Sequence, residues 1–133
     1  MNVESKVLDA TNNTVLLSIT GKVKLGQMDP LVKELSKLIQ GRAVKLILNV
    51  QDVDAIDSSG IGEIVRARTE MAERGGRVVL LGSNSRVEMM MKLSGLIHIF
   101  PVASTQDQAI EMLNQPEPEP PAEPEEPATE EQQ

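Results

Sequence analysis

The chain contains no cysteine, no tryptophan and no tyrosine, and Phe100 is its single aromatic residue. Without cysteine, disulfides and thiolate metal sites are excluded. With a single aromatic side chain, the case for stacking the bases of single-stranded nucleic acid is weak. Histidine is almost absent: His98 stands alone. One imidazole argues against a histidine metal cluster and against chemistry that needs two histidines. It lies between Ile97 and Ile99, where a half-buried structural role in an apolar strand is expected. Long apolar runs are also missing. None approaches the ~20 residues that a membrane span requires. The opening Met1-Asn2-Val3-Glu4 lacks the basic start of a secretion signal. The expectation is a soluble, cytoplasmic protein without membrane insertion.

An excess of positive charge is missing too. The formal net charge is −7, but seven of the twenty acidic residues lie between Gln115 and Gln133, where there is no Lys or Arg. Positions 1–114 therefore hold thirteen acidic and thirteen basic residues. A neutral body has no basic surplus with which to displace counterions, so nucleic acid is not an expected partner. The same C-terminal stretch carries six of the eight prolines and almost no apolar residue. Such a segment cannot bury enough surface to offset its ordering entropy. The expected organisation is a single domain over 1–114 and a disordered Pro/Glu-rich tail over 115–133.

What is present is a regular alternation of strand and helix signals. Val3 to Leu8 and Thr14 to Thr20 read as two strands joined by the Thr11-Asn12-Asn13 turn, a hairpin. Asp29-Pro30 reads as a helix cap followed by proline at the first helical position. Leu31, Leu35, Leu38 and Ile39 mark one face of that helix, and Gly41 ends it. Val44 to Val50 is mostly apolar and β-branched, as a strand covered on both faces would be. A second helix runs from Ile61 to Arg74 and stops at Gly75-Gly76. Arg77 to Leu81 is a further buried strand. Ser85 has capping-box spacing to Glu88. The Met89-Met90-Met91 run in that third helix should supply one or two core residues and at least one facing outward. Ile97 to Val102 is predicted as a last strand, and Ser104 or Thr105 caps a final helix.

This order predicts an α/β fold: a single domain with a mixed, mostly parallel sheet, one antiparallel strand from the N-terminal hairpin, and helices packed on the sheet. Loops leaving the carboxyl ends of strands gather on one edge of such sheets and carry function. The loops Gly21 to Met28 and Gln51 to Ser59 should therefore lie close together.

The second of these loops holds Asp52, Asp54, Asp57, Ser58 and Ser59, and Gly60 and Gly62 follow it. Two hydroxyls thus stand where a strand ends and a helix begins, and either could cap that helix. Free backbone N–H groups at a helix start favour negative charge. The three aspartates oppose it. Phosphorylation of a serine placed among such opposed forces could act as a switch. Catalysis finds little support. Gly-x-Ser-x-Gly and Walker A patterns are absent, and Gly60-Ile61-Gly62 lacks the remainder of a dinucleotide fingerprint. The aspartates are not followed by EF-hand ligands. Turn and cap chemistry is the ordinary role for Asp52 and Asp54.

The run from Leu48 through Asp57-Ser58-Ser59-Gly60-Ile61-Gly62 resembles the signature of anti-sigma factor antagonists, the bacterial STAS domains. Gly21, Gly75-Gly76 and Leu93-Ser94-Gly95-Leu96 fall in matching order, so the resemblance spans roughly residues 3–113. It implies a mixed sheet with helices. It also implies a protein-binding module with no catalysis and no cofactor of its own. Its partner would be an anti-sigma factor serine kinase, which phosphorylates a motif serine with ATP and is then released; a serine phosphatase would reset the switch. By motif position the phosphoacceptor would be Ser58. Asp57, Ser59, Gly60, Ile61, Lys22 and Lys24 would line the partner site. The lysines depart from the many members that carry acidic residues after the glycine. Two other roles fit the residues: an unphosphorylated STAS subunit of a transporter or signalling scaffold, and a nucleotide-binding or hydrolysing enzyme using the Gly60/Gly62 turn.

Overall fold

The computed structural model of the chain describes residues 1–41, 44–82, 84–96 and 98–115. The expected tail falls almost wholly outside them. The elements are β1 (Asn2–Asp9), β2 (Thr14–Val23), α1 (Asp29–Gln40), β3 (Lys45–Ile56), α2 (Ser58–Glu73), β4 (Arg77–Leu81), α3 (Ser85–Leu93), β5 (Val102–Ala103) and α4 (Gln106–Asn114). The strands form one sheet in the order β1-β2-β3-β4-β5. β1 and β2 are antiparallel and the other pairs are parallel, as the alternation of signals predicts.

Sequential strand order decides where the helices go. Each parallel connection steps the same way across the sheet, and right-handed crossovers then put α1, α2 and α3 on one face. That face buries Leu17, Ile19, Leu46, Leu48 and Leu80 beneath Leu35 of α1, Ile64 and Met71 of α2, and Met91 of α3. The period-2 alternation of the strands sends Ile47, Val79 and Leu81 the other way, where Ala109 and Leu113 of α4 cover them. β3 and β4 are thus apolar on both faces. β1 stays at the rim: Val3 packs toward α1, while Leu8 joins the α4 side.

β2 and β3 are both longer than their apolar runs suggest. β3 continues through Gln51, Asp52 and Asp54 to Ile56, and β2 continues to Val23. Gln51 to Ile56 is therefore strand and not loop. The cause is a pair of irregularities in the ladder. Register slips between Ser18↔Asn49 and Thr20↔Asp52, and again between Gly21↔Val53 and Lys22↔Ala55. Each slip inserts an extra β3 residue, so the polar residues fall out of phase without ending the strand. Asn84 secures this region. Its Nδ2 donates to the carbonyls of Val50 (3.0 Å), Gln51 (3.3 Å) and Val53 (2.8 Å). Its Oδ1 accepts from the N–H groups of Arg86 and Val87 at the start of α3.

Asn84, not Ser85, is therefore the cap of α3, and Ser85 is its first helical residue. Asp29 is likewise inside α1, with Met28 in the cap position and no side-chain cap bond. Its carboxylate faces the positive end of the helix dipole instead. Thr105 caps α4 through Gln108 N–H. The last strand shrinks to Val102–Ala103 because the chain turns at Leu96 and Ile99. His98 lies exposed in that turn and is not a half-buried strand residue; Ile97 lies outside the described residues. Within the methionine run, Met91 is core, Met90 is half-buried and Met89 faces solvent.

Candidate functional site

Asp57 organises the site. β3 ends at Ile56, and the Asp57 backbone is extended, with φ −115° and ψ −173°. Its N–H donates to the Val23 carbonyl at 3.2 Å, and its carbonyl accepts the first α2 bond from Ile61 N–H at 3.0 Å. One carboxylate oxygen accepts from Gly60 N–H at 3.1 Å, which caps α2. The other accepts from Leu25 N–H at 3.0 Å. A single side chain thus starts the helix and ties down the loop after β2. The Leu25 bond is the main cause that holds the Asp57 carboxyl below its ordinary value. Partial burial opposes this, while the Gly60 and Ser59 N–H groups and the Lys24 charge add to it.

The glycine is required by the closeness of the two strand ends. A Cβ on Gly60 would stand 2.6 Å from the Val23 carbonyl oxygen and 2.7 Å from Ile56 Cγ1. Only a residue without Cβ lets α2 begin so near the end of β2. Gly62, one helical step outward, meets nothing within 4 Å.

The hydroxyls do not serve as the cap. Capping belongs to Asp57, and Ser58 and Ser59 are the first two helical residues. Ser58 is exposed and Ser59 is half-buried. Gly60 and Ile61 are buried, Ile61 with only 3% of its surface accessible; they shape the helix start from below. Lys22 and Lys24 are exposed. Lys22 lies opposite Ala55 in the ladder, and Lys24 is close enough to Asp57 to act on its carboxyl. Asp52 and Asp54 project from β3 into solvent. The loops after β2 and β3 therefore meet, as strand polarity predicts.

Leu25 escaped the sequence reading. It is 78% exposed, a large apolar side chain on the residue whose N–H binds Asp57. Its signal was available: an isolated leucine between Lys24 and Gly26 in a polar loop has no helical or strand partner to pack on. What the assembled surface offers is an exposed hydroxyl at a helix start, an apolar knob and two lysines. Among the described residues no group of three or more His, Cys, Asp or Glu side chains could hold a metal ion. No helix there is long and apolar enough to cross a membrane.

Known proteins share this architecture. The chain is 26% identical over 104 residues to an anti-sigma F factor antagonist of Lysinibacillus sphaericus, a match covering 77% of this chain and 88% of that protein. Its fold superposes on the anti-sigma factor antagonist SpoIIAA in the unphosphorylated form with a TM-score of 0.70, at 24% identity over 83% of this chain and 94% of that one. It superposes on the phosphorylated form of the Bacillus cell fate determinant SpoIIAA with a TM-score of 0.66, at 23% identity over 83% of this chain and 97% of that one. These two likenesses establish a common fold. The family model of the STAS domain matches residues 5–109. The chain belongs to the STAS domain family.

Proposed function

We propose that this protein is an anti-sigma factor antagonist whose binding to an anti-sigma factor serine kinase is switched off by phosphorylation of Ser58. Bound in the unphosphorylated form, it keeps the kinase from holding its sigma factor and so regulates transcription in the cytoplasm. The kinase transfers the γ-phosphoryl group of ATP to the Ser58 oxygen, the hydroxyl proton passes to the kinase's base, and ADP leaves. A serine phosphatase hydrolyses the ester and restores binding. The protein itself is the substrate and ligand of these enzymes and has no turnover of its own.

The division of labour between Asp57 and Ser58 carries this proposal. Because Asp57 supplies the cap, the Ser58 hydroxyl is spare and exposed. A phosphate there adds about −1.5 to −2 charge at pH 7. The N–H groups of α2 favour that charge, so the fold tolerates it without rearrangement. A docked partner meets it beside the Asp57 carboxylate. An uncompensated charge at an interface costs several kcal/mol, or two or more decades of affinity. Leu25, exposed and tied to Asp57, gives the partner an apolar anchor, and Lys22 and Lys24 suit acidic groups.

Purification of the full chain from its native cells, followed by intact mass measurement, tests this directly. The expected result is a co-purifying serine kinase and a single-phosphate increment that Ser58→Ala abolishes. Recovery without any phosphate, on a transporter or scaffold instead of a kinase, would favour the unphosphorylated-subunit role. Turnover of ATP or GTP by the purified protein alone would favour an enzyme.

A further inference from the structure

β1 is an edge strand. Seven of its eight residues pair with β2 along one side, with an irregularity between Val7 and Asp9, and among the described residues nothing pairs with the other side. A row of free N–H and C=O groups of that length is a template for another strand. Natural edges are usually blunted by charge, and β1 carries Glu4 and Lys6. Here the charges are of opposite sign and lie symmetrically about Ser5. Val3 and Val7 flank them symmetrically as well, and Val7 is 61% exposed.

We propose that two copies of this chain pair antiparallel through β1, with Ser5 on the two-fold axis. Opposite residues in an antiparallel pair share a face of the sheet, so the axis must pass through a residue position. With the axis at Ser5, Val3 meets Val7 of the partner subunit and Glu4 meets Lys6 of the partner subunit, each twice by symmetry. Valines and charges also separate onto opposite faces. Val3 packs on the α1 side, as does Ser5, whose Oγ donates to Glu34 of α1 at 2.9 Å. Glu4 and Lys6 alternate onto the other face, on which Leu8 packs. Moving the axis one residue either way sets Glu4 against Glu4 or Lys6 against Lys6, and like charges directly opposite destabilise a ladder. Only the register with Ser5 on the axis sets Glu4 opposite Lys6. One strand pair makes a small interface, so the dimer is a weak, concentration-dependent one. It is independent of the Ser58 switch, and neither depends on the other.

The lack of native cysteine makes the test clean. Opposed Cα atoms in such a pair lie about 4.5–5.5 Å apart, within disulfide reach. Ser5→Cys in the full chain should therefore form a disulfide-linked dimer under mild oxidation, increasingly with protein concentration. Asn2→Cys should not, because its two copies would stand roughly 20 Å apart at 3.3 Å per residue. In sedimentation equilibrium, Lys6→Glu should weaken self-association about tenfold. The charge-swapped Glu4→Lys/Lys6→Glu protein should recover it to within about twofold. The proposal is overturned if Ser5→Cys cross-links no better than Asn2→Cys. It is equally overturned if Lys6→Glu associates as wild type does, which would put any dimer on another surface, or if the swap fails to restore association.

Discussion

Replacing Gly60 by alanine adds one methyl group at the tightest contact of the site. That methyl would lie 2.6 Å from the Val23 carbonyl oxygen, 2.7 Å from Ile56 Cγ1 and 2.8 Å from Val23 Cγ1. The two side-chain atoms can move aside at modest cost. The carbonyl cannot, because the strand end fixes it and it accepts the Asp57 N–H. Overpacking of this kind costs about 1–3 kcal/mol, and a rigid backbone neighbour puts it near the upper end. Alanine in a helix returns about 1 kcal/mol relative to glycine. The net loss for Gly60→Ala is therefore about 2 kcal/mol. Gly62 supplies the control, since its added methyl meets nothing within 4 Å. Gly62→Ala keeps only the helix gain and should stabilise by about 0.5–1 kcal/mol. Urea denaturation of the two variants should thus separate them by about 2–3 kcal/mol on opposite sides of wild type. Equal stabilities, or a Gly60→Ala protein as stable as wild type, would refute the close approach of α2 to the end of β2.

Asn84→Ala removes the α3 cap and strips the carbonyls of Val50, Gln51 and Val53 of a donor; it should cost about 2–4 kcal/mol in the same assay. Asn84→Asp keeps the cap acceptor and loses the donors, so it too should be clearly destabilised; wild-type stability would show that the three carbonyl bonds matter little. Asp57 has a carboxyl held below its ordinary value of 3.8. The stability it contributes is present above that pH and is lost as pH falls through the folded-state value. Asp57→Asn should therefore be less stable than wild type at pH 7 and lose less on acidification below pH 3.8, measured by thermal melts across pH; parallel curves would contradict this. Reversing both lysines, Lys22→Glu with Lys24→Glu, should change partner affinity or phosphorylation rate, and no change in either would remove them from the binding surface.

The continuous apolar runs Leu46 to Leu48 and Val78 to Leu81 made the two-faced central strands legible, and the helix faces followed from spacing alone. Order of elements then fixed the sheet. The ends of β2 and β3 were illegible because two bulges shift Gln51, Asp52 and Asp54 out of phase, and aspartate disfavours strands. Cap identity was ambiguous wherever several capping residues stood in a row. In Asp57-Ser58-Ser59 and Ser83-Asn84-Ser85, spacing to the first apolar helical residue does not separate one candidate from the next. Only the tertiary bonds do: Leu25 to Asp57, and the β3 carbonyls to Asn84. The meeting of the two loops was legible from strand polarity. Leu25 left no periodic mark, and only its isolation between Lys24 and Gly26 in a polar loop signalled it.

The central claim is that charge on Ser58 ends binding while the fold persists. Its most direct measurement compares Ser58→Ala and Ser58→Asp for affinity to the co-purified kinase, with thermal melts alongside. Ser58→Ala should bind as the unphosphorylated wild type does. Ser58→Asp should melt like wild type and bind at least about tenfold more weakly, since even a fraction of the phosphate's charge at an interface costs on the order of 1.4 kcal/mol. Equal affinities of the two folded variants would contradict the switch.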